Sequence, residues 1–176
     1  LSKKKEINKS LLDNIFKSNI KNLKIKNINF SSDNDFTFKI DNRFKINDIN
    51  IKSIINLNNL DYENDLSNIK KYLPNFKKLI KLENHKIEID YNKERLNISG
   101  KGKLIIGNNS ENLEYELDKK NNDYIFNTNI NINKNLILID ILNYKKERDV
   151  NSLLNFNGTY KENKTISFNS ISLKEN

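Results

Sequence analysis

Residues 85–132 read HKIEIDYNKERLNISGKGKLIIGNNSENLEYELDKKNNDYIFNTNINI. Apolar residues recur here at every second position: Ile87, Ile89 and Tyr91, then Leu96 and Ile98, Leu104 and Ile106, Leu113, Tyr115 and Leu117, Tyr124 and Phe126, Ile130 and Ile132. A period of two puts the apolar side chains of a strand on one face. Short polar stretches at 92–95, 107–112 and 118–123 separate the runs, and connections of that length join antiparallel neighbours. The stretch predicts a meander whose sheet is apolar on one side.

The pattern extends outward in both directions. Leu23 and Ile25, Ile28 and Phe30, Phe36, Phe38 and Ile40, Phe44 and Ile46, then Ile49, Ile51, Ile55 and Leu57 alternate in the same way as far as a break at Asn58 and Asn59. The phase slips between Ile25 and Ile28 and again between Ile46 and Ile49, which predicts β-bulges. Beyond residue 132, the run 136–144 is apolar on both faces and predicts a covered strand, followed by strands over 153–160 and 165–173. Two segments keep a helical period instead. Ile7, Leu11, Leu12, Ile15, Phe16 and Ile20 form a stripe over residues 6–20, and Leu66, Ile69 and Leu73 form one over 65–73, which Asn64 or Asp65 can cap and Pro74 stops. The expected fold is therefore mainly β, an antiparallel meander curled into an open β-groove, with two short helices. Its parts are a helical lead-in over 1–22, first strands over 23–60, a short helix and connection over 61–84, and a second antiparallel meander over 85–176.

Composition narrows the function classes. Asn, Lys and Ile supply 90 of the 176 residues, with no Ala, Gln, Met, Cys or Trp. These are residues of A/T-rich codons, so the net charge of +8 reflects codon bias before it reflects a partner. The lysines are dispersed as short pairs, and no basic arm of the kind that binds nucleic acid is present. Leu, Ile, Val and Phe total 56 residues, enough to fold. The absence of cysteine excludes disulfides, and no apolar run approaches the roughly 20 residues that span a bilayer. Because the chain starts at Leu1 and contains no Met, it reads as one fragment of a larger protein, with any signal or anchor outside it.

The inventory for catalysis is thin, and the expectation is that the chain is not an enzyme. His85 is the single histidine, and no serine sits in a nucleophile-elbow sequence. Zinc needs three or four His, Cys or carboxylate ligands. Asp61, Glu63 and Asp65 begin like a calcium loop, but Leu66 and Tyr72 stand where that loop requires Gly and Glu. Gly100, Gly102 and Gly107 lie between strands, so they do not form a dinucleotide fingerprint and point to close backbone packing. No catalytic, metal or cofactor site is expected. A stacking platform for single-stranded nucleic acid built on Tyr91, Tyr115, Tyr124 and Phe126 is a weaker reading than core packing.

Four features of residues 85–173 carry a resemblance: a strand ending in G-x-G (Gly100, Gly102), a Y-x-L-x-K strand (Tyr115, Leu117, Lys119), a Y-x-F-x-T strand (Tyr124, Phe126, Thr128) and an L-N-Y-x-K end (Leu142, Asn143, Tyr144, Lys146). Together they resemble the AsmA-like family, in particular the YhdP-type bridge-like lipid transfer proteins of bacteria. The resemblance implies a segment of a periplasmic protein anchored in the inner membrane through a missing segment, whose sheet curls into a hydrophobic groove for phospholipid transport between inner and outer membranes. It implies phospholipid acyl chains and neighbouring repeats of the same chain as partners, no nucleic acid, and membrane contact through parts outside this fragment.

The residues lead to a related point without that resemblance: a long one-sided sheet with two short helices has too little material to cover its own apolar face. Acyl chains in an open trough are one cover. A second sheet about 10 Å away, closing a β-sandwich of a surface or fibre domain, is the alternative. The expected lining of a groove is Ile87, Ile89, Leu104, Ile106, Tyr115, Leu117, Phe126, Ile130 and Leu138.

Overall fold

In the computed structural model the described residues are 7–8, 24–63, 67–120, 123–161 and 165–175. They form β1 (Ile7–Asn8), β2 (Ile25–Ile40), β3 (Ile46–Glu63), β4 (Leu79–Tyr91), β5 (Leu96–Ile106), β6 (Asn109–Lys120), β7 (Asp123–Asn131), β8 (Ile137–Ile139), β9 (Tyr144–Lys146), β10 (Ser152–Lys161) and β11 (Ile166–Glu175). Nine of these make one open sheet in the order β1-β2-β3-β4-β5-β6-β7-β10-β11, and β8 pairs with β9 in a separate hairpin. Each neighbouring pair is antiparallel. The meander is interrupted once, after β7, where the chain leaves the sheet to form β8 and β9 and returns as β10.

The alternation explains the strands, and its slips explain their bulges. Register shifts fall between Ile25 and Asn27 and between Thr37 and Lys39, the two places where the phase of the sequence slips. At the second, Asp48 takes the extra position with a φ of 51°. A further pair was not expected. β2 shifts against β3 between Asn29 and Phe30, opposite Asn58, and β4 shifts against β5 between Glu83 and Lys86, where Asn84 has a φ of 53°. Between these shifts β3 and β4 stay in constant register from Ile51 opposite Tyr91 to Glu63 opposite Leu79. The two strands therefore carry one extra residue each, side by side. The break expected at Asn58 and Asn59 is a bulge through which β3 continues, and β4 begins at Leu79, ahead of His85.

The two short helices require correction: no α-helix occurs among the described residues. In place of the helix over 65–73 there is a single 3-10 turn, Ser67–Lys71, closed by the Tyr72 and Leu73 amides, which both donate to the Ile69 carbonyl at 2.9 and 2.8 Å. Pro74 ends it before a nucleus of α-helix could propagate. Of the expected helix over 6–20, Ile7 and Asn8 are strand residues paired with Phe30 and Asn29, because the open edge of β2 offers backbone partners. The rest of that segment lies outside the described residues. The covered strand expected over 136–144 is a tight hairpin, β8 and β9, joined by the 3-10 turn Asp140–Leu142, and Asn143 adopts the left-handed conformation (φ 47°) that reverses the chain.

Registered partners share a face, so the pairings sort the side chains. One face carries Ile28, Phe30 and Phe36 of β2, Ile51, Ile55, Leu57 and Leu60 of β3, Leu82, Ile87 and Ile89 of β4, and Leu96, Ile98, Leu104 and Ile106 of β5. It continues through Leu113, Tyr115 and Leu117 of β6, Phe126 and Ile130 of β7, Leu154 and Phe156 of β10, and Phe168, Ile171 and Leu173 of β11. The opposite face is Asn, Lys, Glu, Asp and Ser with few exceptions.

The main buried cluster lies under the β8–β9 hairpin, and Ser53, Leu57 and His85 are buried on β3 and β4 apart from it. Leu113, Ile130, Ile132 and Ile137 are buried together, with Leu73, Leu82, Leu104, Tyr115, Ile139, Leu154, Phe156 and Leu173 packed against them. Burying a side chain of this size contributes about 1.5–3 kcal/mol. The cover over this cluster is the β8–β9 hairpin and the segment after the 3-10 turn, where the Leu138 amide donates to the Tyr72 carbonyl at 2.9 Å.

Candidate functional site

The apolar face of the sheet is the candidate site. Eight of the nine expected lining residues, Ile87, Ile89, Leu104, Ile106, Tyr115, Leu117, Phe126 and Ile130, lie on it. Across the strands, Ile89 is opposite Ile98, Ile98 opposite Leu117, and Leu117 opposite Phe126, so a row of apolar side chains crosses the sheet. Leu138 stands apart. It belongs to the covering hairpin, where Ile137 and Ile139, on either side of it, turn to the core cluster. A one-residue phase difference on a three-residue strand is enough to exchange these faces. Ile106 and Ile130 are buried under the cover, whereas Ile87, Ile89, Tyr115, Leu117 and Phe126 are partly exposed.

Ile98, Leu57, Phe156 and Phe168 share the face and were absent from the expected set, although the same alternation places them there. Phe126, Phe156 and Phe168 form an edge-to-face triad with ring centroids 5.9–6.4 Å apart, a favourable arrangement for aromatic quadrupoles. Gly158 makes the triad possible. A Cβ there would overlap the Ser167 carbonyl and come within 2.8 Å of the Phe126 ring.

Gly100 and Gly102 serve the neighbouring strands in the same way, leaving room for the Tyr115 ring and the His85 ring respectively, whose centroids are 6.0 Å apart. His85 is buried. Its Nε2–H donates to the Lys103 carbonyl at 3.0 Å, which leaves Nδ1 as a buried acceptor without a partner. Burial lowers the His85 pKa from 6.5, against the opposing effect of the Lys103 carbonyl. A folded-state pKa that is depressed gives stability that is complete above the unfolded value and lost as pH falls through the folded one. Stability is thus expected to fall as pH drops from 6.5 toward 5, by at most about 1.4 kcal/mol per pH unit, before carboxylates begin to protonate. His85→Leu is expected to flatten urea midpoints measured over that range, and an unchanged slope in the variant would assign the dependence to another group.

The cover is fixed by a buried polar network. The Glu111 carboxylate accepts the amides of Asn133 (3.1 Å) and Lys134 (3.0 Å) and the Asn135 side-chain amide (2.7 Å). The Lys146 ammonium donates to the carbonyls of Asn133, Asn135 and Glu147 at 3.0–3.1 Å. Desolvation lowers the Lys146 pKa, and Glu111 opposes that shift. The hairpin is tied to the far strand as well. The Tyr144 hydroxyl donates to the Glu175 carboxylate, and its pKa is pushed up to about 12, mainly by burial and then by Glu175.

The polar face offers less. A shallow depression of about 390 Å³ is lined by Lys86, Glu88, Lys101, Glu114, Glu116 and Asn127 among others, where acids and bases alternate and no single charge is concentrated. Ion pairs such as Lys86 with Glu88 and Lys39 with Asp48 are solvent-exposed and contribute little. Among the described residues no group of three His, Cys, Asp or Glu side chains is arranged to hold a metal ion, and no helix is long and apolar enough to cross a membrane. No family model, curated protein or solved structure matches the chain.

Proposed function

We propose that the apolar face carries acyl chains, and that the chain is a segment of an AsmA-like bacterial lipid-transfer protein in which this face forms one wall of a hydrophobic β-groove. One observation carries the reading: among the described residues the apolar side chains of this face recur on every strand from β2 to β11, and Ile87, Ile89, Ile98, Leu117 and Phe126 stay partly exposed, outside the buried cluster of Leu113, Ile130, Ile132 and Ile137. A face of that extent needs an apolar partner. The long strands β2 and β3, with 16 and 18 residues, support a curled wall, because each bulge bends its strand. In this reading lipid moves across the strands, from the β2 edge toward the β11 edge, and the Asn-rich face points to water. The periplasm and an inner-membrane anchor belong to the same proposal, as does the passage of phospholipid from inner to outer membrane.

The test is photocrosslinking in cells. A photoreactive residue at Ile89, Ile98 or Leu117 is expected to recover phospholipid adducts, and the same residue at Glu116 or Asn127 on the polar face is expected to recover none. Adducts to a second protein strand in place of lipid, or none at the apolar positions, would reject the lipid reading in favour of a closed sandwich.

A further inference from the structure

A second feature stands independently of the groove. The pairing of β3 with β4 ends at Ile51 opposite Tyr91, but β2 and β3 continue past it as a two-stranded hairpin to Ile40 and Ile46, flanked at its base by the turn residues Asn92, Lys93 and Glu94. Four further residues of β2, past Phe36 to Ile40, at about 3.4 Å each carry this hairpin about 14 Å beyond Tyr91. One of its faces is apolar and open: Phe38, Ile40 and Ile46 are each more than half exposed. At the tip Phe44 is 89% exposed and held at a φ of 58°, a conformation that a bulky residue rarely takes. The turn enforces it. Asp41 accepts the Arg43 and Lys45 amides on Oδ1 at 2.9 Å each, and its carbonyl accepts the Phe44 amide at 2.9 Å.

We infer that this hairpin is an interfacial anchor for an anionic phospholipid bilayer, with Phe44 inserted among the headgroups and Arg43 and Lys45 on lipid phosphates. Charge selects this occupant over a second copy of the chain. Arg43 and Lys45 flank the aromatic tip; Asp48 is paired with Lys39 at 2.9 Å, and the Asp41 carboxylate, kept ionised by the turn amides, offsets one of the two, so the tip keeps one positive charge in excess. Two tips brought together would oppose like charges, whereas an anionic surface attracts them and allows the basic stems to extend toward phosphate. An aromatic on a rigid, projecting, one-sided apolar element suits the interface between headgroup and acyl chain.

The chain has no tryptophan, so Phe44→Trp supplies a single reporter. Its emission is expected to shift to the blue on addition of vesicles containing phosphatidylglycerol, to be quenched by brominated acyl chains, and to change little with pure phosphatidylcholine. Arg43→Ser with Lys45→Ser is expected to weaken vesicle binding about tenfold or more. Phe44→Gly separates binding from folding, because glycine adopts a positive φ without strain. That variant is expected to melt no lower than the parent and to lose vesicle binding. An emission spectrum of the Phe44→Trp chain that anionic vesicles leave unshifted, or a Phe44→Gly chain that binds as well as the parent, would overturn the inference. So would a dimer in sedimentation equilibrium that Phe44→Gly dissociates, since the occupant would then be a second copy. Leu117→Asp, which disables the proposed groove, is expected to leave vesicle binding intact, so the two proposals can fail separately.

Discussion

Replacing Lys146 with alanine is expected to lower the stability of the chain by about 3–5 kcal/mol, the usual cost of removing one partner from a buried charged network. The ammonium is fully buried and satisfies three backbone carbonyls at once. Its loss strands those acceptors, opens a cavity and deprives Glu111, itself buried, of the opposing charge of Lys146. Lys146→Met fills the cavity but cannot donate, so it is expected to recover a minor part of the loss. The check is urea unfolding at constant m-value, together with amide exchange over 137–146. A loss below about 1 kcal/mol, or exchange in the hairpin no faster than in the parent, would mean that the cover is held by Ile137 and Ile139 alone.

Charges placed at two positions on the apolar face are expected to give opposite results. Ile106→Asp puts an unpaired carboxylate at a position that is 1% exposed, and a loss of at least about 4 kcal/mol is expected. Leu117→Asp, in the partly exposed row with Ile98 and Phe126, is expected to cost about 1 kcal/mol, because water reaches the carboxylate. Thermal melts of the two variants side by side decide the matter. Equal and large losses would mean that the face is sealed along its whole length, which is incompatible with an open carrier surface.

Much of this arrangement was legible in the sequence, because strand alternation has a period that short turns do not disturb. Ile87, Ile89, Tyr115, Leu117 and Phe126 could be assigned to one face from spacing alone, and the bulges near Lys26 and at Asp48 showed themselves as slips between isoleucines. The bulges at Asn58 and Asn84 did not. Both extra residues are asparagines among other polar residues, so the slip resembled a loop and β3 was expected to end there. Spacing misled most where a short run fits two periods. Leu66, Ile69 and Leu73 satisfy a helix, yet Pro74 leaves length for a single 3-10 turn. In the run 136–144, consecutive apolar residues hid a reversal that depends on the left-handed backbone of Asn143. The Glu111 and Lys146 network was invisible for a different reason: both residues belong to types that are almost never buried without partners, and their partners are backbone groups that the sequence does not distinguish.

The order of strands in the sheet has a consequence for biosynthesis. From β2 to β7 each strand lies beside its predecessor, so pairing can follow the chain as it leaves the ribosome, one hairpin at a time, with little loop entropy to overcome at each step. The cover does not keep pace. Leu82 is made 64 residues before Lys146, an interval of about 3 to 13 seconds at roughly 5–20 residues per second. During that time Leu82, Leu104 and Leu113 sit on a growing apolar surface whose roof has not yet been synthesised, and a nascent chain in that state is a substrate for holdase chaperones.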